Sequence, residues 1–127
     1  MRTEPRAEAL GILYAADSRS LDAPDTSGAS ERVTDLANGV WDNREAIDAA
    51  IEDASTSWRI DRMAVVDRNI LRLGTFELMF SDLSVAIVIS EAVELAKGYS
   101  TSGSGGFING VLSGVASAHR ADDDGES

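Results

Sequence analysis

At 127 residues the chain has the length of one domain, enough to bury a core of its own. It contains no cysteine, which excludes a disulfide framework, a thiolate metal site and a cysteine nucleophile. With 22 acidic against 11 basic residues the formal net charge is −11, the wrong sign for a general nucleic-acid binder.

No apolar run approaches the length of a bilayer span, and the first residues are too polar for a signal peptide. A soluble, cytoplasmic protein with no membrane contact is expected.

The first predicted helix lies near residues 4–16. Pro5 suits its opening turn, and Leu10, Leu13 and Tyr14 fall on one face. Its charges cancel, with Arg2, Arg6 and Arg19 set against Glu4, Glu8 and Asp17. Residues 20–30, rich in Ser, Asp, Pro and Gly, read as a connecting loop.

From Glu31 the pattern changes. Val33, Ala37, Val40, Arg44, Ile47, Ile51, Ala54 and Trp58 recur at alternating steps of four and three, which predicts a helix over about 31–56. Arg44 breaks the apolar seam, and Trp41-Asp42-Asn43 offers a place for a bend. Gly39 permits close helix approach.

The stretch from Trp58 to Phe80 dominates the chain. Ile60, Met63, Val66, Ile70, Leu73 and Phe80 recur at helical spacing, with a second apolar row through Val65, Leu71 and Leu78. A helix over about 61–80 that is apolar on more than half its circumference belongs in the middle of a bundle. Asp61 reads as its N-cap, with Ile60 and Val65 placed for a hydrophobic staple. Arg72 and Glu77 are set into this apolar surface. At least one is expected to be buried and paired, the alternative being a solvated strip.

A turn at 81–84, capped by Asp82 or Ser84, leads into a helix over about 85–98 with Val88, Ala92 and Leu95 inward. Glu91 and Glu94 lie one turn apart, but a carboxylate metal site needs matching Glu and His elsewhere, and the single histidine is His119 beside a polar tail. No metal or other cofactor is expected. Residues 98–106, Gly-Tyr-Ser-Thr-Ser-Gly-Ser-Gly-Gly, lack the preceding strand and the following Gly-Lys-Ser/Thr of a nucleotide loop. They read as a helix connection with Ser104 capping a last helix over about 105–118, in which Gly110 and Gly114 allow tight packing.

The expected architecture is all-α: a single helical domain over 1–120 and a disordered acidic tail over 121–127. The expected core is Leu10, Leu13, Val40, Ile47, Ile51, Ile70, Leu71, Leu73, Phe76, Val88, Ala92, Leu95, Phe107, Val111 and Leu112.

Four blocks carry a family resemblance: Val66-Asp67-Arg68-Asn69-Ile70-Leu71-Arg72-Leu73, Phe76-Glu77-Leu78, Ser90-Glu91-Ala92-Val93-Glu94-Leu95-Ala96-Lys97, and Phe107-Ile108-Asn109-Gly110-Val111-Leu112. In order and spacing the chain resembles the NusB family over nearly its whole length. The resemblance implies a compact helical bundle of two small subdomains and a transcription antitermination factor with no catalysis. It implies pairing with the ribosomal protein NusE, binding of boxA RNA by the pair, and membership of the RNA polymerase antitermination complex, as a monomer or homodimer.

By position, the implied RNA surface comprises Arg2, Arg6, Tyr14, Tyr99, Ser102, Ser104 and Phe107, and the implied partner surface Asp61 and Asp67. Arginine meets phosphate and aromatics stack on bases, while either tyrosine also suits the edge of a core.

The chain departs from the family at both RNA elements. The N-terminal arginines are interleaved with Glu4 and Glu8, and the loop before Phe107 carries no basic residue. Two alternatives follow. One is a protein-interaction module of the same fold with weak or lost RNA binding. The other is part of an RNA cytosine methyltransferase, which would need a catalytic cysteine that this chain lacks.

Overall fold

The computed structural model describes residues 4–56 and 58–125, excepting the side chains of Glu4 and of 121–125. Among these residues there are six α-helices and no strand: α1 (Glu4–Ser18), α2 (Glu31–Asp42), α3 (Arg44–Ala54), α4 (Val65–Phe80), α5 (Val85–Tyr99) and α6 (Ser104–Gly125). A 3-10 turn, Ile60–Arg62, precedes α4.

Helix α4 touches every other helix. α1, α2 and α3 gather on it as one group and α5 and α6 as the other, and α3 meets α6 to close the bundle. Its sequence explains the position. Ile70, Leu71, Leu73 and Leu78 are all at most 2% exposed though they point in different directions around the helix. Burying each contributes roughly 1.5–3 kcal/mol before ordering costs. One apolar cluster runs through both groups, from Leu10 and Leu13 of α1 to Leu112 and Val115 of α6. The expected core is buried throughout except for Phe76 and Phe107, which are half-buried at its edge.

The charges on α4 are paired inside the bundle. Arg72 grips Asp48 with two hydrogen bonds, Nε to Oδ1 at 2.8 Å and Nη2 to Oδ2 at 2.9 Å, and its Nη1 reaches Asp17 at 3.0 Å. Arg68 makes a second two-pronged contact with Asp17, and the Asn69 amide donates to the same carboxylate. Glu77 accepts from Arg6 Nε at 2.9 Å. Both central residues expected to interrupt the apolar surface, Arg72 and Glu77, are thus buried and paired.

Close packing occurs where glycine allows it. A Cβ on Gly39 would lie 2.5 Å from the Phe76 ring, and one on Gly114 would lie 3.1 Å from Ala54 Cβ. Gly110 faces open space, so the expectation of tight packing there is corrected.

Several boundaries differ from the sequence expectation. The helix expected over 31–56 is two helices, because Asn43 leaves helical geometry (φ −105°, ψ 18°) and its side-chain amide donates back to Gly39 O at 2.8 Å. Arg44, just past the break, stacks on the Trp41 ring at 3.7 Å.

The central helix begins at Val65 rather than Asp61. Its N-cap is Ala64, with no side-chain hydrogen bond, and Asp61 lies in the exposed 3-10 turn. Trp58, placed by periodicity at the end of the seam, is 55% exposed. Ser84 does cap α5, accepting from Ile87 N–H at 3.2 Å.

Helix α1 ends in a Schellman arrangement. Leu21 N–H reaches Ala16 O, Ser20 N–H reaches Asp17 O, and Ser20 takes φ 55° where glycine is usual. Helix α6 kinks at Arg120 (φ −134°, ψ 19°), two residues past its expected end. The expectation of a disordered acidic tail over 121–127 falls on residues whose side chains lie outside the described set, as do 126 and 127 entirely. Among the described residues no helix is long and apolar enough to cross a membrane.

Candidate nucleic-acid interface

Two tyrosines from distant parts of the chain meet in one groove. Tyr14 sits on the last turns of α1 and Tyr99 ends α5. Together with Ala7, Leu10, Gly11 and Val66 they line a hollow of about 360 Å³. Tyr14 is 46% exposed and Tyr99 60%. Leu10 and Leu13 turn α1 inward and leave Tyr14 at the rim. Tyr99 is left exposed because the row Val88, Ala92, Leu95, Ala96 faces the core. An apolar hollow edged by two exposed phenol rings can take a flat, unpaired base by stacking.

A second hollow, about 390 Å³, lies beside the turn between α5 and α6 and is lined by Lys97, Ser100, Thr101, Ser102 and Gly105. Ser102 is exposed here. Lys97 is exposed too and sits 3.6 Å from Glu94. A third hollow, about 290 Å³, is lined by Trp58, Arg62, Met63, Asp67, Ser104 and Phe107 among others. Phe107 therefore faces Trp58 and not the tyrosine groove.

The remaining expected site residues are placed as follows. Arg2 lies outside the described residues. Arg6 is 6% exposed, bonded to Glu77, with its Nη1 3.9 Å from Glu91. Its guanidinium is held between α1, α4 and α5 by these carboxylates. Ser104 was expected to cap α6. Instead it is 5% exposed and donates to Asp67 Oδ2 at 3.0 Å, as Ser100 does to Oδ1 at 2.5 Å. Asp67 is half-buried with both oxygens engaged, while Asp61 is exposed and lies 3.4 Å from Arg59.

The sequence reading missed Trp58 as a pocket wall and Val66 as a groove floor. Each was assigned to an apolar row, and periodicity alone cannot tell the rim of a core from its centre.

Comparison with known proteins points to one family. The sequence profile described as the NusB family matches residues 3–117. The chain is 46% identical over 128 residues to the transcription antitermination protein NusB of Anaeromyxobacter dehalogenans (strain 2CP-1 / ATCC BAA-258), covering 91% of this chain and 90% of that protein. It is 42% identical to the NusB of Sorangium cellulosum (strain So ce56), at 91% coverage of each. Among solved structures, T. maritima NusB superposes with a TM-score of 0.84 at 31% identity, covering 100% of this chain and 98% of that one. A chain from the crystal structure of antitermination factors NusB and NusE in complex with dsRNA superposes at 0.77, also at 31% identity, covering 92% and 96%.

Proposed function

We propose a function from one premise: this chain belongs to the NusB family. It is a transcription antitermination factor. In that role it pairs with the ribosomal protein NusE, and the pair binds boxA RNA of a nascent transcript within the RNA polymerase antitermination complex, in the cytoplasm. No catalytic step belongs to this reading.

The observation that carries it is the groove shared by Tyr14 and Tyr99, on a fold that superposes on the NusB of a NusB–NusE–RNA assembly. The RNA surface proposed is Tyr14, Tyr99 and Ser102, with Lys97 supplying positive charge. Arg6 and Ser104 support it from inside. The exposed acid Asp61 suits the edge of a basic partner protein, where complementary charge speeds encounter.

A second reading, a protein-interaction module with weak RNA binding, is favoured by the burial of Arg6 and the Lys97–Glu94 contact. Phosphate neutralisation supplies most non-specific affinity, and of the cations proposed at this surface Arg6 is bonded to Glu77 and Lys97 lies beside Glu94.

Fluorescence anisotropy with a boxA-like RNA and a scrambled control separates the two. The chain alone is expected to bind weakly, and the chain with NusE to prefer the boxA-like RNA. Tyr14→Ala or Tyr99→Ala should weaken the pair's binding by about tenfold, since stacking contributes roughly 1–3 kcal/mol per base. A pair that treats both RNAs alike supports the interaction module instead.

A further inference from the structure

Asp67 stands in the first turn of α4, and it or an immediate neighbour lines each of three hollows. It lines the Trp58 hollow. Its neighbour Val66 lines the tyrosine groove. Its hydrogen-bond partner Ser100 lines the Lys97 hollow.

Its carboxylate holds the α5–α6 connection by hydroxyls alone. Ser100 Oγ donates to Oδ1 at 2.5 Å and Ser104 Oγ to Oδ2 at 3.0 Å. Ser104 also lies 2.8 Å from Ser100 Oγ and 3.2 Å from Thr101 Oγ1. An ionised carboxylate only accepts, so the protons run Thr101 to Ser104 to Asp67, with Ser100 donating from the other side.

Besides these hydroxyls, the ends of the connection are held by backbone bonds from Ser100 N–H to Ala96 O at 2.9 Å and from Ser104 N–H to Thr101 O at 3.0 Å. Residues 98–106 contain four glycines and no charged side chain. Cβ positions at Gly98, Gly103 and Gly106 would meet nothing within 4 Å.

We propose that Asp67 is a positioning residue for RNA: it sets the 100–104 segment, and with it Tyr99 and Ser102, while touching no RNA itself. This rests on the RNA-binding reading above. The sign of the effect distinguishes it from plain electrostatics. Removing a carboxylate from an RNA-facing edge should tighten binding to a polyanion if charge alone mattered. Loss of the tether should weaken it.

The experiment compares wild type, Asp67→Asn, Ser100→Ala and the double variant, each with NusE and the boxA-like RNA. Asp67→Asn is expected to weaken RNA binding about tenfold, as befits hydrogen bonds to a charged group, with the salt slope unchanged. Ser100→Ala should weaken it too, and the double variant should be little worse than Asp67→Asn. In the chain alone, amide hydrogen exchange over 100–105 should speed up in Asp67→Asn while α1 keeps its protection. Affinity for NusE without RNA should fall much less than affinity for the RNA.

Unchanged or tighter RNA binding by Asp67→Asn overturns the proposal, whether or not exchange speeds up. A loss of NusE affinity as large as the loss of RNA affinity also overturns it, and assigns Asp67 to the partner interface. A wild-type pair that binds no boxA-like RNA overturns the function reading, and the proposal with it.

Discussion

Asp17 is where three α4 side chains converge on one α1 carboxylate, and its ionisation is tied to the fold. Burial pushes its pKa up, but hydrogen bonds from Arg68 and Asn69 and the charges of Arg72 and Arg68 outweigh that, so it lies below its ordinary 3.8. A carboxylate with a lowered folded-state pKa contributes stability that is present above the unfolded pKa and lost as pH falls through the folded one. Asp17→Asn should therefore melt well below wild type at pH 7, and the gap should narrow below about pH 4. Thermal melts from pH 7 to pH 3 check this, and a gap constant across that range would detach Asp17 from the acid response. The presence of an ion pair on α4 could be read from Arg72 in an apolar row, but its partners could not. Asp17 and Asp48 lie 55 and 24 residues away, with no local pattern to mark them.

At the scale of elements, the turn from α4 to α5 is held by a residue from the far end of α6. Arg120 is 9% exposed and donates to four backbone carbonyls: Leu78 at 2.8 Å, Glu77 at 3.2 Å, Ser81 at 2.7 Å and Leu83 at 2.5 Å. The last carbonyls of a helix have no partner within it, and here a guanidinium supplies one. The kink at Arg120 accompanies that reach. Arg120→Ala strands several carbonyls at once and is expected to cost about 3 kcal/mol or more. Hydrogen exchange should rise first at 78–84, and a melting temperature within a degree of wild type would refute the clamp. Helix identities were legible from apolar spacing. Their ends were legible where local chemistry decides, as at Ser84. They were less so at Asn43, where the sequence marks a bend but not that it splits the helix in two, and at Ala64, an N-cap with no side-chain hydrogen bond lying close to the equally plausible Asp61.

For the whole molecule, the −11 charge and its distribution bear on the proposed RNA binding. Gly106 is exposed, and a side chain there would meet nothing within 4 Å, so lysine can be added without strain on the bundle. Gly106→Lys should tighten RNA binding by the proposed chain–NusE pair and steepen its salt dependence by about one unit if the first turn of α6 faces phosphate. Titrations at several salt concentrations read both quantities, and an unchanged slope would place that turn away from the backbone of the RNA.

By itself, the sequence determined the helical class, the central place of α4 and the family. Each rests on local periodicity or on residues in fixed order, which the chain carries along its length. Tertiary structure alone decided which polar residues are free to act. Arg6, read as a phosphate contact, is folded under α4, and Ser104, read as a cap, is turned onto Asp67. Tyr14 and Tyr99, 85 positions apart in the numbering, become walls of one groove. Burial and long-range pairing depend on what the other helices bring to the same place, and no stretch of sequence read alone contains that.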